Sequence, residues 1–174
     1  FHLKDTVEQI GLYVPFLRPE EISTDTASSR QVILHTLDFY KRINNDYPEK
    51  VILLQPTSPL RKKVHLIESL KLFSKNIDMV VSVNENYNYS ENNIFFEDSS
   101  GFLKKYNERE INIKYEKLWS FNGAIYIINT ISILKTKILD FKKIKKYKMC
   151  KKTSLDIDDL NDWNQFINYN EFLK

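Results

Sequence analysis

The fold of this chain is decided by the stretch Val51-Ile52-Leu53-Leu54-Gln55-Pro56-Thr57-Ser58-Pro59-Leu60-Arg61. Its four consecutive apolar residues predict a strand that is buried on both faces. The strand should end at Gln55, because Pro56 has no N–H to donate to a sheet. Ligands of open α/β sheets lie beyond the carboxyl ends of the strands, so the polar residues that follow are the first candidates for a site. A proline-rich turn without function would contain the same residues.

Periodic patterns on both sides of this stretch predict an alternation of helices and strands. Apolar residues recur at helical spacing in residues 6–13, 26–43, 64–73 and 159–172. Short apolar runs predict further buried strands at 78–83 and 124–128. A strand, a helix and a strand in succession predict a parallel pair with a right-handed crossover. The expected fold class is therefore α/β, with a mostly parallel central sheet flanked by helices.

Length and composition indicate one globular domain over residues 1–174. Apolar residues make up 42% of the chain and charged residues 28%, which is typical of a folded protein. The apolar runs are far shorter than the ~20 residues that a membrane span needs, so no membrane partner is expected. The single cysteine, Cys150, cannot form an internal disulfide, and this favours a reducing, cytoplasmic compartment.

The net charge of +3 comes from one cluster of lysines between residues 142 and 152. Since the rest of the chain is mildly acidic, a general nucleic-acid-binding surface is not expected. We interpret the cluster as a solvated, positively charged edge. Attraction of an anionic substrate, such as a nucleotide or a sugar acid, is the alternative.

Residues 84–119 differ from the rest of the chain in composition. Asn, Tyr, Lys and Glu dominate this segment, and short apolar pieces interrupt it. Such a pattern predicts hairpins or an excursion from the main sheet, which could pack as an arm against a second subunit. An unstructured insert would have the same composition.

Asp156-Ile157-Asp158 is the first candidate for chemistry. In an extended segment, residues two apart share one face, so the two carboxylates would point together. Mg²⁺ is commonly held by one or two carboxylates together with waters and substrate phosphates. The alternative is that this acidic cluster caps the final helix, a role that suits Asp159 and Asp162 better than Asp156.

Arg18 is the second candidate, together with the hydroxyl-rich residues 23–29. An arginine in an extended segment, followed by hydroxyls at a helix start, suits a phosphate, a ribose or a base carbonyl. Helix capping would explain the hydroxyls equally well. With only three glycines, the chain has no glycine-rich phosphate loop, and its three histidines have no metal-ligand spacing. A zinc site and a Ser-His-Asp triad are therefore not expected.

Five ordered motifs resemble those of the acylneuraminate cytidylyltransferases, the family of CMP-sialic acid synthetases and their relatives for other nonulosonic acids. They are Phe16-Leu17-Arg18-Pro19-Glu20-Glu21, Asp25-Thr26-Ala27-Ser28, Leu54-Gln55-Pro56-Thr57-Ser58-Pro59-Leu60-Arg61, Asn122-Gly123-Ala124-Ile125-Tyr126-Ile127 and Asp156-Ile157-Asp158 with Asp162-Trp163. Together they span residues 16–163, which makes the set more specific than any single motif.

The resemblance implies a Rossmann-like nucleotidyltransferase fold and transfer of CMP from CTP to the anomeric hydroxyl of a nine-carbon sugar acid. It implies that Arg18 and Ser29 contact the nucleotide. The sugar acid would be bound by Gln55, Asn122, Tyr126 and Phe141. Asp156 and Asp158 would hold Mg²⁺, and one of them would help to deprotonate the attacking hydroxyl. It also implies a homodimer, with residues 84–119 as the dimerisation arm.

The chain departs from the family pattern in two places. The first strand and the I-P-A-R-x-G-S-K-G loop that cradles the CTP phosphates have no counterpart, so we expect an N-terminally truncated chain or a remnant without full activity. The family arginine that precedes the Asn-Gly pair is replaced by Asn112, and Arg109 is the nearest catalytic candidate.

Three other functions remain open at this stage. One is a non-catalytic remnant of the fold that binds a sugar acid or forms dimers. Another is a glycosyltransferase that uses the Asp-x-Asp triplet, although only sixteen residues follow Asp158. The last is a cytidylyltransferase for an eight-carbon sugar acid.

Overall fold

A computed structural model of the chain describes residues 3–24, 26–86, 94–106 and 117–171. Its internal contacts divide the chain into two compact units, Phe1–Pro48 and Glu49–Lys174. The single nucleotidyltransferase domain expected over residues 1–174 stays a prediction.

The first unit is helical. It contains α1 (Leu3–Gln9), a 3-10 turn (Glu20–Ile22) and α2 (Ser29–Asn44). A capping box starts α2, because the Ser28 hydroxyl accepts from the Gln31 backbone N–H while the Gln31 side chain accepts from the Ser28 N–H. The helix ends where Asn45 adopts a left-handed conformation, at φ 57°.

The second unit is a six-stranded sheet with helices. Its strands are β1 (Lys50–Leu53), β2 (Met79–Asn86), β3 (Ile94–Glu97), β4 (Leu103–Lys105), β5 (Leu118–Asn129) and β6 (Ile144–Lys148). Its α-helices are α3 (Lys63–Lys71), α4 (Thr130–Lys135) and α5 (Leu160–Glu171). Their apolar residues bury a core that includes Val80, Ile125 and Ile127, against which Leu66 and Leu70 of α3 pack.

The α/β class is confirmed, but the expectation of a mostly parallel sheet is wrong. The strand order is β4-β3-β5-β2-β6, and β1 pairs with β5. Of the strand pairs among the described residues, only β2 and β6 are parallel. Strands β1 and β2 do not pair with each other, because both pair antiparallel with β5, which lies between them. The arrangement of strands and helices is compatible with a Rossmann-like fold.

The described parts of residues 84–119 belong to the main sheet. Strand β2 continues to Asn86 alongside the start of β5, and β3 and β4 form an antiparallel hairpin that is joined to β5 through β3. The predicted hairpins are thus present, while residues 87–93 and 107–116 lie outside the described part. Contact of this segment with a second subunit stays a prediction. Within the described ranges, none of the helices is long and apolar enough to cross a membrane.

Candidate active site

Three segments of the second unit meet at Gly123. This glycine lies within β5 and has φ +75°, a conformation that other residues rarely adopt. A Cβ added there would lie 2.5 Å from Oε1 of Gln55 and 2.8 Å from Oδ2 of Asp156. Only a glycine therefore lets the polar end of β1, the bend in β5 and the segment before α5 come this close together.

The Asp156 carboxylate is incompletely satisfied at this point. Its Oδ1 atom is buried and has no hydrogen-bond partner in the described structure. The backbone beside it is tied to the segment after β1, since the Ile157 N–H donates to the Thr57 carbonyl at 2.9 Å. A buried carboxylate oxygen without a donor is costly, and such atoms in folded proteins often mark the place of an ion or another ligand.

Tyr126 belongs to the same electrostatic environment. Burial raises the pKa of the Tyr126 hydroxyl, and the negative charge of Asp156 raises that pKa further. A tyrosine hydroxyl is protonated at neutral pH in any case, and both effects extend that state to higher pH, so Tyr126 can act as a hydrogen-bond donor. Gln55 and Asp156 thus lie against Gly123, and Tyr126 lies near enough to Asp156 to feel its charge, while the binding roles predicted for these residues stay predictions.

Of the three acidic residues that next follow Asp156, two cap α5 and one is exposed to solvent. The Asp159 carboxylate accepts from the N–H groups of Asn161 at 2.7 Å and Asp162 at 3.0 Å, so it caps α5. Asp162 reaches back to the N–H groups of Asp158 and Asp159. The capping role expected for Asp159 and Asp162 is confirmed. Asp158 is exposed at the surface beside this cap.

The acidic residues at this point suit a magnesium ion, which takes few protein ligands, better than a metal that is enclosed by protein side chains. Among the described residues, no group of three or more His, Cys, Asp and Glu side chains could enclose a metal. Mg²⁺ needs only one or two carboxylates when waters and substrate phosphates complete its shell. The unpartnered oxygen of Asp156 meets that limited requirement, and participation of the exposed Asp158 carboxylate stays a prediction.

Asn122 is buried in a network that supports the bend. Its Oδ1 accepts from the Ser82 hydroxyl at 2.6 Å and from the Ala124 N–H at 3.2 Å, and its Nδ2 donates to Ser154 Oγ at 2.8 Å. These bonds tie β5 to β2 and to the segment that leads to Asp156. Direct contact of Asn122 with a substrate stays a prediction, whereas its support of Gly123 follows from these contacts.

A row of aromatic rings leads away from Tyr126. The Tyr126 ring meets Phe121 edge to face at 6.4 Å, and Phe121 stacks on Phe95 at 4.2 Å between ring centroids. Phe95, Phe121 and the predicted substrate-binding residue Phe141 line one cavity of about 230 Å³. Phe141 therefore shares a cavity with Phe121, the ring that contacts Tyr126, and this apolar cavity could accommodate an apolar substituent of a ligand.

Asp78 anchors the loop that carries Phe141, a role that the sequence did not indicate. Its Oδ2 accepts from the N–H groups of Lys142 at 3.0 Å and Lys143 at 2.9 Å, and its Oδ1 accepts from the Ser132 hydroxyl at 2.6 Å. Burial acts to raise the pKa of this carboxyl group, but the hydrogen bonds outweigh it and lower the pKa below its usual value. The only signal in the sequence was an acid at the start of a buried strand.

The predicted nucleotide-binding residues lie in the first unit. Arg18 lines a cavity of about 500 Å³ in that unit, and its carbonyl accepts a bond from the Ser23 hydroxyl at 3.4 Å. Ser29 is the first residue of α2, directly after the Ser28 cap. Their contact with a nucleotide stays a prediction. Arg109, the catalytic candidate, lies outside the described residues, as does Asn112.

The lysine cluster contains β6, which sequence analysis missed. Lys146 and Lys148 place their ammonium groups over the Trp119 ring, at 4.9 and 5.5 Å from its centroid. Lys146 also pairs with Glu97, and Lys148 pairs with Glu85 at 2.7 Å. Since β6 ends the strand order, these contacts favour the interpretation of a charged sheet edge over that of an anion attractor.

Comparison with known proteins gives relatives along most of the chain, although no family model matches it. It is 40% identical over 159 residues to the N-acylneuraminate cytidylyltransferase of Escherichia coli O18:K1:H7, covering 84% of this chain and 35% of that protein. It is 31% identical over 162 residues to the N-acylneuraminate cytidylyltransferase of Streptococcus agalactiae serotype III, covering 88% and 37%. It is 29% identical over 168 residues to the CMP-N,N'-diacetyllegionaminic acid synthase of Legionella pneumophila, covering 92% and 70%. The chain thus spans about a third of the length of the two N-acylneuraminate cytidylyltransferases.

Proposed function

Because this chain is homologous to the acylneuraminate cytidylyltransferases, we propose that it carries out the same class of reaction, with CTP and a nonulosonic acid as substrates. In this reaction the anomeric hydroxyl of a nine-carbon keto acid attacks the α-phosphorus of CTP. The new P–O bond gives the CMP-sugar, and the bond to the β-phosphate breaks to release pyrophosphate. The hydroxyl proton passes to a base at the site.

The observation that carries this proposal is the meeting of Gln55 and Asp156 at Gly123. An amide and a carboxylate side by side can bind a sugar acid through its hydroxyls while accepting a proton from one of them. The protonated Tyr126 hydroxyl adds a donor that suits the sugar carboxylate. In this arrangement Phe141 and the cavity it lines would receive the acyl or glycerol end of the sugar.

Asp156 and Asp158 would hold the Mg²⁺ ion and one of them would serve as the base. When bound, the ion would neutralise charge on the triphosphate. The role of the protein residues is to orient the attacking hydroxyl and to take up its proton. Arg18 and Ser29 would bind the cytidine nucleotide, and Arg109 would stabilise charge at the reacting phosphate.

The proposal is tested by following pyrophosphate and CMP-sugar formation from CTP and Mg²⁺ with N-acetylneuraminate and with di-N-acetyllegionaminate. The assay uses this chain and a gene product that is extended upstream of it. We expect turnover in the wild-type protein, and we expect the substitution Asp156→Asn to reduce this turnover about a thousandfold. Asp5→Asn, an exposed acid in α1, is the matched control and should leave turnover unchanged. Turnover that survives Asp156→Asn would exclude the assigned site.

A non-catalytic role in sugar-acid binding or dimerisation is the alternative. It would be favoured if both protein forms bound N-acetylneuraminate in calorimetry but released no pyrophosphate. The relatives described above are named as enzymes, which favours catalysis. A homodimer and a cytoplasmic location complete the proposal, and the mass of the purified protein in light scattering would test the first of these.

A further inference from the structure

Arg61 joins the two strand ends that carry the candidate site. Its side chain turns back from the segment after β1, and Nη1 donates to the Gln55 carbonyl at 3.1 Å and to the Ala124 carbonyl at 2.7 Å. Gln55 lies in the segment after β1 and contacts the Cβ position of Gly123, and Ala124 is the next residue after Gly123 in β5. The arginine thus contacts the backbone of both segments whose side chains form the site.

The position of Arg61 coincides with the end of the β1–β5 ladder. The last paired residues of these strands are Leu53 and Tyr126. Beyond this pair, the carbonyls of Gln55 and Ala124 both accept hydrogen bonds from Arg61 Nη1. Two carbonyls cannot bond to each other, because neither has a hydrogen to donate, so each needs such a donor. Nη1 carries two hydrogens, so one nitrogen can satisfy both acceptors and hold the strand ends at a defined separation.

The setting makes these two bonds strong and hard to replace. Arg61 is half-buried, and burial lowers the pKa of its guanidinium, which nevertheless remains charged at any physiological pH. Ala124 is fully buried, so its carbonyl would lose a charged donor at a place that water does not reach if the guanidinium were removed. Backbone bonds in the same turn, from Ser58 N–H to Gln55 and from Arg61 N–H to Ser58, close the segment around the arginine.

We propose that Arg61 is a positioning residue for the sugar-acid half of the site. It holds the strand ends apart so that Gln55 Oε1 and Asp156 Oδ2 approach Gly123 from two sides, and it does so without touching a substrate. The inference rests on the proposed function, because it assigns the Gln55 side of the site to the sugar acid. A shift of the strand ends by about 1 Å would therefore weaken sugar-acid use and leave CTP use largely intact.

The test compares Arg61→Met and Arg61→Lys with the wild type, using N-acetylneuraminate and CTP as probes. Lys63→Met is the matched control, because Lys63 is an exposed base two residues away at the start of α3. For Arg61→Met we expect the KM for N-acetylneuraminate to rise about tenfold and the KM for CTP to stay within about twofold. Arg61→Lys keeps the charge but not the planar geometry, and it should recover part of the loss. The control should match the wild type.

Amide hydrogen exchange provides a readout that needs no substrate. Peptides covering residues 54–61 and 122–126 should exchange about tenfold faster in Arg61→Met, with no change in the peptides of α5. If exchange and both KM values match the wild type, Arg61 does not position the strand ends. If the KM for CTP rises as much as that for the sugar acid, Arg61 contacts the nucleotide or acts on overall stability, and the inference is wrong.

The failure of the proposed function would look different. In that case the wild type would neither turn over nor bind N-acetylneuraminate in calorimetry, and the assignment of Arg61 to sugar binding would be overturned with it. Wild-type turnover that Arg61→Met leaves unchanged would instead overturn this inference alone.

Discussion

Gln55 Oε1 and Asp156 Oδ2 lie against the same glycine, Gly123, at 2.5 and 2.8 Å from the position that a Cβ would occupy. The two residues are 101 positions apart in the chain: Gln55 lies in the segment after β1, and Asp156 lies in the segment before α5. Their meeting brings an amide and a carboxylate together beside Tyr126.

Gly123→Ala should disrupt the site through a direct collision. The new methyl group would displace Gln55, Asp156 or both, and we expect turnover to fall about a hundredfold. Gly101→Ala is a matched control, since Gly101 has a similar φ of +77° but nothing within 4 Å of its Cβ position. Both substitutions carry the backbone strain, so only the collision separates them. Equal losses of turnover in the two variants would contradict the close approach.

Asp156→Asn should lower the pKa of Tyr126, because the charge of Asp156 contributes to raising it. Burial would still hold this pKa above that of a free tyrosine. Titration of the variant and the wild type by NMR, with the Tyr126 resonance assigned by a Tyr126→Phe variant, measures the difference. Asp159→Asn, which alters the nearby α5 cap, should leave the Tyr126 titration unchanged. An unchanged pKa in Asp156→Asn would mean that the two side chains are not close.

Asp78→Asn should destabilise the fold by about 1–2 kcal/mol at pH 7, since the carboxylate accepts three hydrogen bonds and is partly exposed. The folded-state pKa of Asp78 is lowered, so its contribution is present above the ordinary carboxyl pKa and is lost as the pH falls through the folded value. Urea unfolding at pH 7 and at pH 3 measures this. The difference between variant and wild type should shrink at the lower pH, and a constant difference would contradict the linkage.

Tyr147→Phe should destabilise the fold by about 1 kcal/mol, because the Tyr147 hydroxyl donates to Glu68 Oε2 at 2.5 Å. Burial, this hydrogen bond and the charge of Glu68 together raise the pKa of Tyr147 to about 12. Because this pKa is higher in the folded state than in the unfolded state, where it is near 10, the interaction stabilises the fold fully below about pH 10. That stabilisation is lost as the pH rises towards 12. Chemical unfolding at pH 8 and pH 11.5 should show a smaller difference at the higher pH. In a double-mutant cycle with Glu68→Gln, additive effects would contradict the contact.

Local features of this fold could be predicted from sequence. The strand predicted at Val51 is present and stops before Pro56, although it ends at Leu53 instead of Gln55 and is only partly buried, with Ile52 39% exposed, so the expectation of burial on both faces is wrong. Hydroxyl capping before α2 and the acidic cap at Asp159 also follow from their sequences, although α2 starts at Ser29 and not at residue 26. Each of these depends on residues within a few positions of one another, where propensity, capping and the missing N–H of proline act directly.

The tertiary structure alone decided which distant segments meet. Nothing in the apolar run of β1 shows that β5, some seventy residues later, pairs with it and separates it from β2. Strand β6 was hidden in the lysine cluster, because Trp119 and two glutamates supply the contacts that offset its charges. Sequence alone identified Asp156, Gln55 and Gly123 as motif residues. Their close approach, and the arginine that holds the strand ends apart, depend on long-range strand pairing, which local sequence patterns do not encode.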